Sequence, residues 1–282
     1  GAIPMIMRDG LVALSSEDTT AQERISAASW LLTAADNLCD ISLGRDIYER
    51  VATHLRSPQI ARDTRLWFEM VYHASCGDGE LVESRASELI QYARTHCPPL
   101  VAIRYFRHAA HALGCFSTSD NSIAILVESF EWAKKLNARV SMAISAGLLS
   151  SLYMQIGNNN CAKDWMDCAF DVHRPAATTV ADMNMWSYRT ELALRLLDAK
   201  DAEFSFSNFS NWAESSNSAR SLVRYYSLHL QFMLISGREI TADLLGKILV
   251  LHDLTKRSLV QDYTVESLLL GLEKANRLAD AE

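Results

Sequence analysis

Helix breakers are sparse in these 282 residues, which contain 11 glycines and 5 prolines. No Asn-Gly or Asp-Gly pair sits between two alternating apolar runs, and Asp78-Gly79 lies between helical patterns. The tight turns that an antiparallel sheet needs are therefore missing. Positive charge is short as well. Lys and Arg number 27 against 34 Asp and Glu, a net charge of −7. The chain as a whole lacks the basic excess that displaces counterions from nucleic acid or from an anionic membrane, so direct contact with either is not expected.

Long apolar runs are absent too. The best candidate is the uncharged stretch between Arg139 and Lys163, but it holds Ser141, Ser145, Ser150, Ser151 and Gln155 and then breaks at Gly157-Asn158-Asn159-Asn160. A membrane span needs about 20 mainly apolar residues, so a helix packed on most sides by other helices accounts for it better. Gly1 to Leu14 carries Arg8 and Asp9 and has no continuous apolar core, unlike a secretory leader. Cys39, Cys76, Cys97, Cys115, Cys161 and Cys168 are scattered through apolar or helical stretches. That is the usage of small buried hydrophobes in a reducing compartment, and a cytoplasmic protein is expected. Signature motifs for phosphate loops, serine hydrolases, zinc proteases and CxxC redox sites do not occur. Two helical pairs have metal-like spacing, His73 with Cys76 and His111 with Cys115, but two ligands do not make a site. No metal and no cofactor are expected.

What is present is a helical period. In Leu100 to Phe116 the apolar Val101, Tyr105, Ala109, Ala112 and Leu113 recur at three- and four-residue steps. The breakers recur on a longer scale. Pro58 and Pro98 lie forty residues apart, and turn-like points fall at Gly77, Ser117, Gly157, about Ala199 to Lys200, and Gly237. A fixed period of this length is the signature of an α-solenoid, in which each hairpin buries its apolar face against its neighbours. The expectation is an all-α chain. Six helix-turn-helix hairpins would run over about Thr20–Leu55, Ile60–Thr95, Leu100–Leu136, Val140–His173, Val180–Ser215 and Ala219–Thr255. An unpaired helix would follow from Ser258. Residues 1–19 would form an arm or leading helix before a single repeat domain over 20–282. Ser267 to Glu282 reads as a helix with no stop signal, so a fragment of a longer protein is expected.

One hairpin carries a sharper pattern: Leu149-Ser150, Tyr153, Gly157, Ala162 and Ala169. This order of a large-small pair, an aromatic, a turn glycine and two alanines resembles the tetratricopeptide repeat. The resemblance implies a right-handed superhelix whose first helices line a concave groove. Repeats longer than the usual 34 residues are similar to those in the sensor domain of LuxR-class transcription activators of the maltose-regulator type. Such a domain implies transcription regulation through an output module beyond these residues.

The most distinctive polar pattern is on a first helix. Arg104, Arg107, His108 and His111 stand at i, i+3, i+4 and i+7, a single basic stripe in an acidic chain. Under the resemblance it faces the groove and an anionic group such as a carboxylate, a phosphate or an acidic peptide. Other first helices offer Arg65 and Trp67, Trp186 and Arg189, and Arg224, Ser227 and Gln231 as further contacts. The competing account pairs these arginines with acids such as Glu69 and Glu191 and packs the tryptophans into the core. The expected function is a non-catalytic sensor or interaction module that binds a protein, a peptide or a small anion, possible as an oligomer. Two alternatives remain. One is a peptide-pheromone receptor, which would need asparagines along the groove; here they concentrate in turns, as at Asn158 to Asn160. The other is an all-helical enzyme using His108 or His111 as acid or base.

Overall fold

A computed structural model describes residues 2–16, 18–38, 40–116, 120–176, 179–215 and 218–255. All regular secondary structure among them is α-helical. Helix α1 (Ala2–Ser15) leads. Six hairpins follow: α2 (Ala21–Leu38) with α3 (Ile41–Leu55), α4 (Arg62–Cys76) with α5 (Gly79–His96), and α6 (Pro99–Gly114) with α7 (Asp120–Lys135). Then come α8 (Arg139–Gln155) with α9 (Asn159–Val172), α10 (Val180–Arg195) with α11 (Ala199–Ser215), and α12 (Ala219–Ser236) with α13 (Ala242–Thr255). The expected leading segment is thus a helix, and it belongs to the same core. Leu14 is buried in a cluster with Ile25, Leu31 and Ile47, and Gly10 lets α1 lie directly on Leu31, where a Cβ would come within 2.7 Å. The helix expected from Ser258 and the turn at Ser117 lie outside the described residues.

The forty-residue period has a structural origin in the turn inside each hairpin. Residues 77, 157, 197 and 237 all adopt left-handed backbone, with φ of 80°, 75°, 58° and 67°. At each, two backbone bonds close the helix end, as in Gly157 N to Met154 O (3.1 Å) and Asn158 N to Tyr153 O (2.9 Å). At 77, 157 and 197 the next residue caps the start of the second helix, whereas after Gly237 helix α13 begins only at Ala242. Asp78, Asn158 and Asp198 accept a hydrogen bond from the backbone N–H three positions on. Glycine occupies three of the four left-handed positions although a Cβ there would meet nothing within 4 Å, so it is required by conformation and not by space. The fourth is Leu197. The sequence placed that turn at Ala199 to Lys200; it lies at Leu197-Asp198, hidden because leucine stands where the other turns have glycine.

Between hairpins, small residues let helices approach. Ser129 Oγ of α7 lies 3.0 Å from Ser145 Oγ of α8 and donates to Ile103 O of α6 at 3.3 Å. Within the fourth hairpin, Ser150 and Ala162, the small residues of the repeat motif, are fully buried, and Ala162 of α9 packs against Met154 and Tyr153 of α8. Tyr105 of α6 donates to Asp63 Oδ2 of α4 at 3.0 Å.

The first helices form an inner layer. Each packs on the next in the order α2, α4, α6, α8, α10, α12, and α12 then packs back on α2. The last contact carries an ion pair, Arg220 Nη1 to Asp36 Oδ2 at 2.5 Å. Second helices lie outside this ring: α3, α5, α7, α9 and α11 each pack on the first helices before and after them, and α13 packs on α12. The faces that the first helices leave uncovered therefore look onto a shared groove.

Candidate binding groove

Because the repeat is forty residues long, equivalent positions on α4, α6, α8, α10 and α12 differ by multiples of forty. Arg104 is level with Thr64, Ile144, Asn184 and Arg224. Arg107 is level with Trp67, Gly147, Ser187 and Ser227, and His111 with Val71, Ser151, Glu191 and Gln231. On α6, Arg104, His108 and His111 are exposed and Arg107 is half-buried, while Ala102, Ile103, Tyr105, Phe106, Ala109, Ala110 and Leu113 are buried. The stripe is thus the one open face of a helix packed elsewhere. It looks across the groove: His111 feels the charges of Arg220 and Arg224 on α12 and of Asp36 on α2.

Solvent reaches the two imidazoles, yet protein surrounds them closely enough to disfavour their charge. Burial, then the charges of Arg107, His111 and Arg104, push His108 down to about 4. Burial, then Arg220, does the same to His111, with Asp36 opposing. A side chain both wetted and enclosed is what a concave wall produces. Burial and the neighbouring Arg104 lower even the Arg107 guanidinium, to about 10.

Neither Arg104 nor Arg107 has a carboxylate within ion-pair reach among the described residues. Arg104 lies against the Tyr105 ring, 5.4 Å from its centroid. Arg107 Nη1 is buried and has no hydrogen-bond acceptor among the described residues. Beside the stripe, Trp67 of α4 meets the His108 ring edge-on at 5.8 Å, and its buried Nε1 also lacks an acceptor.

The arginines of α10 and α12 differ. Glu191, only 4% exposed, accepts from Arg195 at 2.9 Å and from Arg224 at 3.1 Å. Arg224 also lies over the Tyr188 ring at 4.4 Å, and Arg195 reaches Met154 O of α8 at 3.1 Å. Ser227 Oγ is buried without a partner, and Gln231 continues the strip. The wall thus carries unneutralised positive charge on α6, a compensated network on α10 and α12, and apolar Ile144 and Leu148 between them.

Three of the sequence candidates are not on this wall. Arg65 is level with Tyr105, Ser145, Met185 and Tyr225, all buried, and so lies on the side of α4 away from Trp67. Trp186 is core: it packs edge-on against Phe170 and Phe204 at 4.9 and 5.6 Å. Arg189 pairs with Asp201 of α11 at 2.8 Å and lies over Phe170. Of the suggested partners, Glu191 does pair with Arg224, and also with Arg195, while Glu69 binds Arg85 at 2.8 Å. The metal-like pairs stay apart. His73 lies near Asp78 at the α4–α5 turn while His111 faces the groove, and no group of three His, Cys, Asp or Glu forms among the described residues. The five described cysteines are free, and no described helix is long and apolar enough to cross a membrane. Sequence reasoning missed Asp36, Arg195 and Arg220. Arg195 was accessible by two forty-residue steps from Cys115, one helical turn beyond His111; the meeting of α2 with α12 had no sequence signal.

No protein-family model and no curated protein matches the chain. Solved structures do share its fold. One is the apo form of RapI, 10% identical with a TM-score of 0.58, the match covering 99% of this chain and 100% of that one. Another is BtubC (BKLC) from P. vanneervenii, 13% identical with a TM-score of 0.52, covering 85% and 91%. At such identities the likeness is one of fold.

Proposed function

We propose that this chain is a non-catalytic recognition module that takes an anionic ligand, a small carboxylate or phosphate compound or a short acidic peptide, against the α6 stripe. The observation that carries the proposal is the buried, acceptor-free Arg107 Nη1 beside an uncompensated Arg104 on the groove wall of a chain with net charge −7. A buried donor without an acceptor costs about 1–3 kcal/mol, and a ligand oxyanion would remove that cost while gaining charge-assisted bonds. Arg104 can share the anion, and His108 and His111 border it.

Output would follow from the ring. A ligand that ties α6 to facing helices changes how firmly α12 sits on α2, and so the curvature of the array. This is a mode of action like that of the LuxR-class sensor domains that the repeats resemble, with regulation as the outcome. A peptide-receptor role would draw on backbone-binding asparagines, and the groove positions level with Arg104 supply Asn184 alone.

The test is a thermal-shift panel of carboxylates, phosphate esters and acidic peptides, followed by calorimetric titration of the best compound into wild type and Arg107→Gln. Loss of a charge-assisted pair corresponds to about a tenfold or greater rise in Kd. A groove ligand of equal affinity for wild type, Arg107→Gln and the double Arg104→Glu/Arg107→Glu variant would remove the stripe from the mechanism.

A further inference from the structure

The turn at Leu197 is anomalous on two counts. It holds the left-handed backbone that glycine supplies at the equivalent positions 77, 157 and 237, and its side chain is 72% exposed, so it adds little to the core. A leucine held in left-handed backbone and left largely exposed gains little packing from its own fold to offset that strain, and a contact outside the chain would supply it. Immediately beside it is a matching hollow. Met166 of α9, Leu192 of α10, Leu196 at the end of α10 and Phe204 of α11 line an open surface pocket, and Leu196 and Phe204 remain 39% and 47% exposed.

We infer that this face is a self-association site, in which Leu197 of one copy enters the Met166–Leu192–Leu196–Phe204 pocket of a second copy and the exchange is reciprocal about a two-fold axis. A knob and a hole side by side on one patch are the geometry of an isologous contact. Electrostatics favour a second copy as occupant. The chain repels itself with a net charge of −7, yet the pocket rim is balanced, with Lys163, Arg189 and Lys200 against Asp167, Asp198 and Asp201. Lys163–Asp167 and Arg189–Asp201 already pair within the rim, so two such rims can meet without net like-charge repulsion. The site lies on the outside of the α9–α11 region, away from the α6 stripe, and does not depend on the ligand proposal.

Sedimentation-velocity runs over a concentration series, to several hundred micromolar, test it with wild type, Leu197→Gly and Leu197→Asn. Wild type is expected to show a reversible monomer–dimer equilibrium. Both variants keep the left-handed turn and are expected to raise the dimer Kd by about tenfold or more. Under dilute, monomeric conditions the Leu197→Gly Tm stays level with wild type or rises, because the strain is relieved. A wild type that stays monomeric throughout, or variants that dimerise as wild type does, overturns the proposal. A marked fall in the Leu197→Gly monomer Tm does so as well, since it would give the leucine a role inside its own fold.

Discussion

At the residue scale, the period of this protein is written in backbone conformation more than in side-chain identity. Gly157 sits at φ 75° with open space around its missing Cβ. Gly157→Ala therefore meets no clash and feels only the left-handed penalty, about 1–2 kcal/mol. Urea unfolding is expected to report a loss of that size with an unchanged m-value; an unaltered midpoint would mean that the α8–α9 turn re-forms with a different backbone. Leu197 shows why glycine alone is an incomplete marker. The residue that follows, Asp198, has the same capping role as Asp78 and Asn158, so the left-handed residue plus Asx cap was the legible unit, and the glycine was only its commonest half.

At the scale of elements, which face of each first helix opens on the groove follows from the forty-residue ladder. Tyr105, Ser145, Met185 and Tyr225 are buried, so Arg65 belongs to the far side of α4 however suggestive its neighbour Trp67. What sequence spacing did not reveal is pairing between helices, because a long, flexible arginine side chain chooses among acids on several neighbours. Glu191 is the clearest case. It is nearly buried and holds guanidinium groups from both α10 and α12. Glu191→Ala would leave two partly buried cations without their counter-charge, and the cost of breaking such a network is about 3–5 kcal/mol. The expected result is a large fall in Tm, with Glu191→Gln losing less because the amide oxygen still accepts. Equal, small losses in both variants would show that water replaces the carboxylate at the α10–α12 contact.

At the scale of the whole molecule, the ring that brings α12 back to α2 encloses two histidines. Their folded pKa values, about 4 for each, lie below the ordinary 6.5. As pH falls below 6.5 the unfolded chain takes up protons that the folded chain refuses until about pH 4. Stability is therefore present above 6.5 and is lost between those limits. Denaturant unfolding at pH 7.5 and pH 5 is expected to show this loss, and His108→Asn/His111→Asn to show less of it. A double variant as acid-sensitive as wild type would place the titrating groups elsewhere. An anion bound at the stripe acts in the opposite direction. It raises both pKa values, so binding takes up protons and tightens as pH falls from 7 toward 5.

The sequence by itself determined the all-α hairpins, their turns wherever glycine marks them, and the basic stripe on α6, because helical periodicity, turn glycines and capping residues act over a few neighbouring positions. Only the tertiary structure decided that α12 meets α2, that Glu191 and Asp36 hold the arginines of α10 and α12 while Arg104 and Arg107 stay uncompensated, and that Trp186 and Arg189 are turned away from the groove. Those outcomes depend on how a small rotation between successive hairpins accumulates over six of them, and no short stretch of residues encodes that sum.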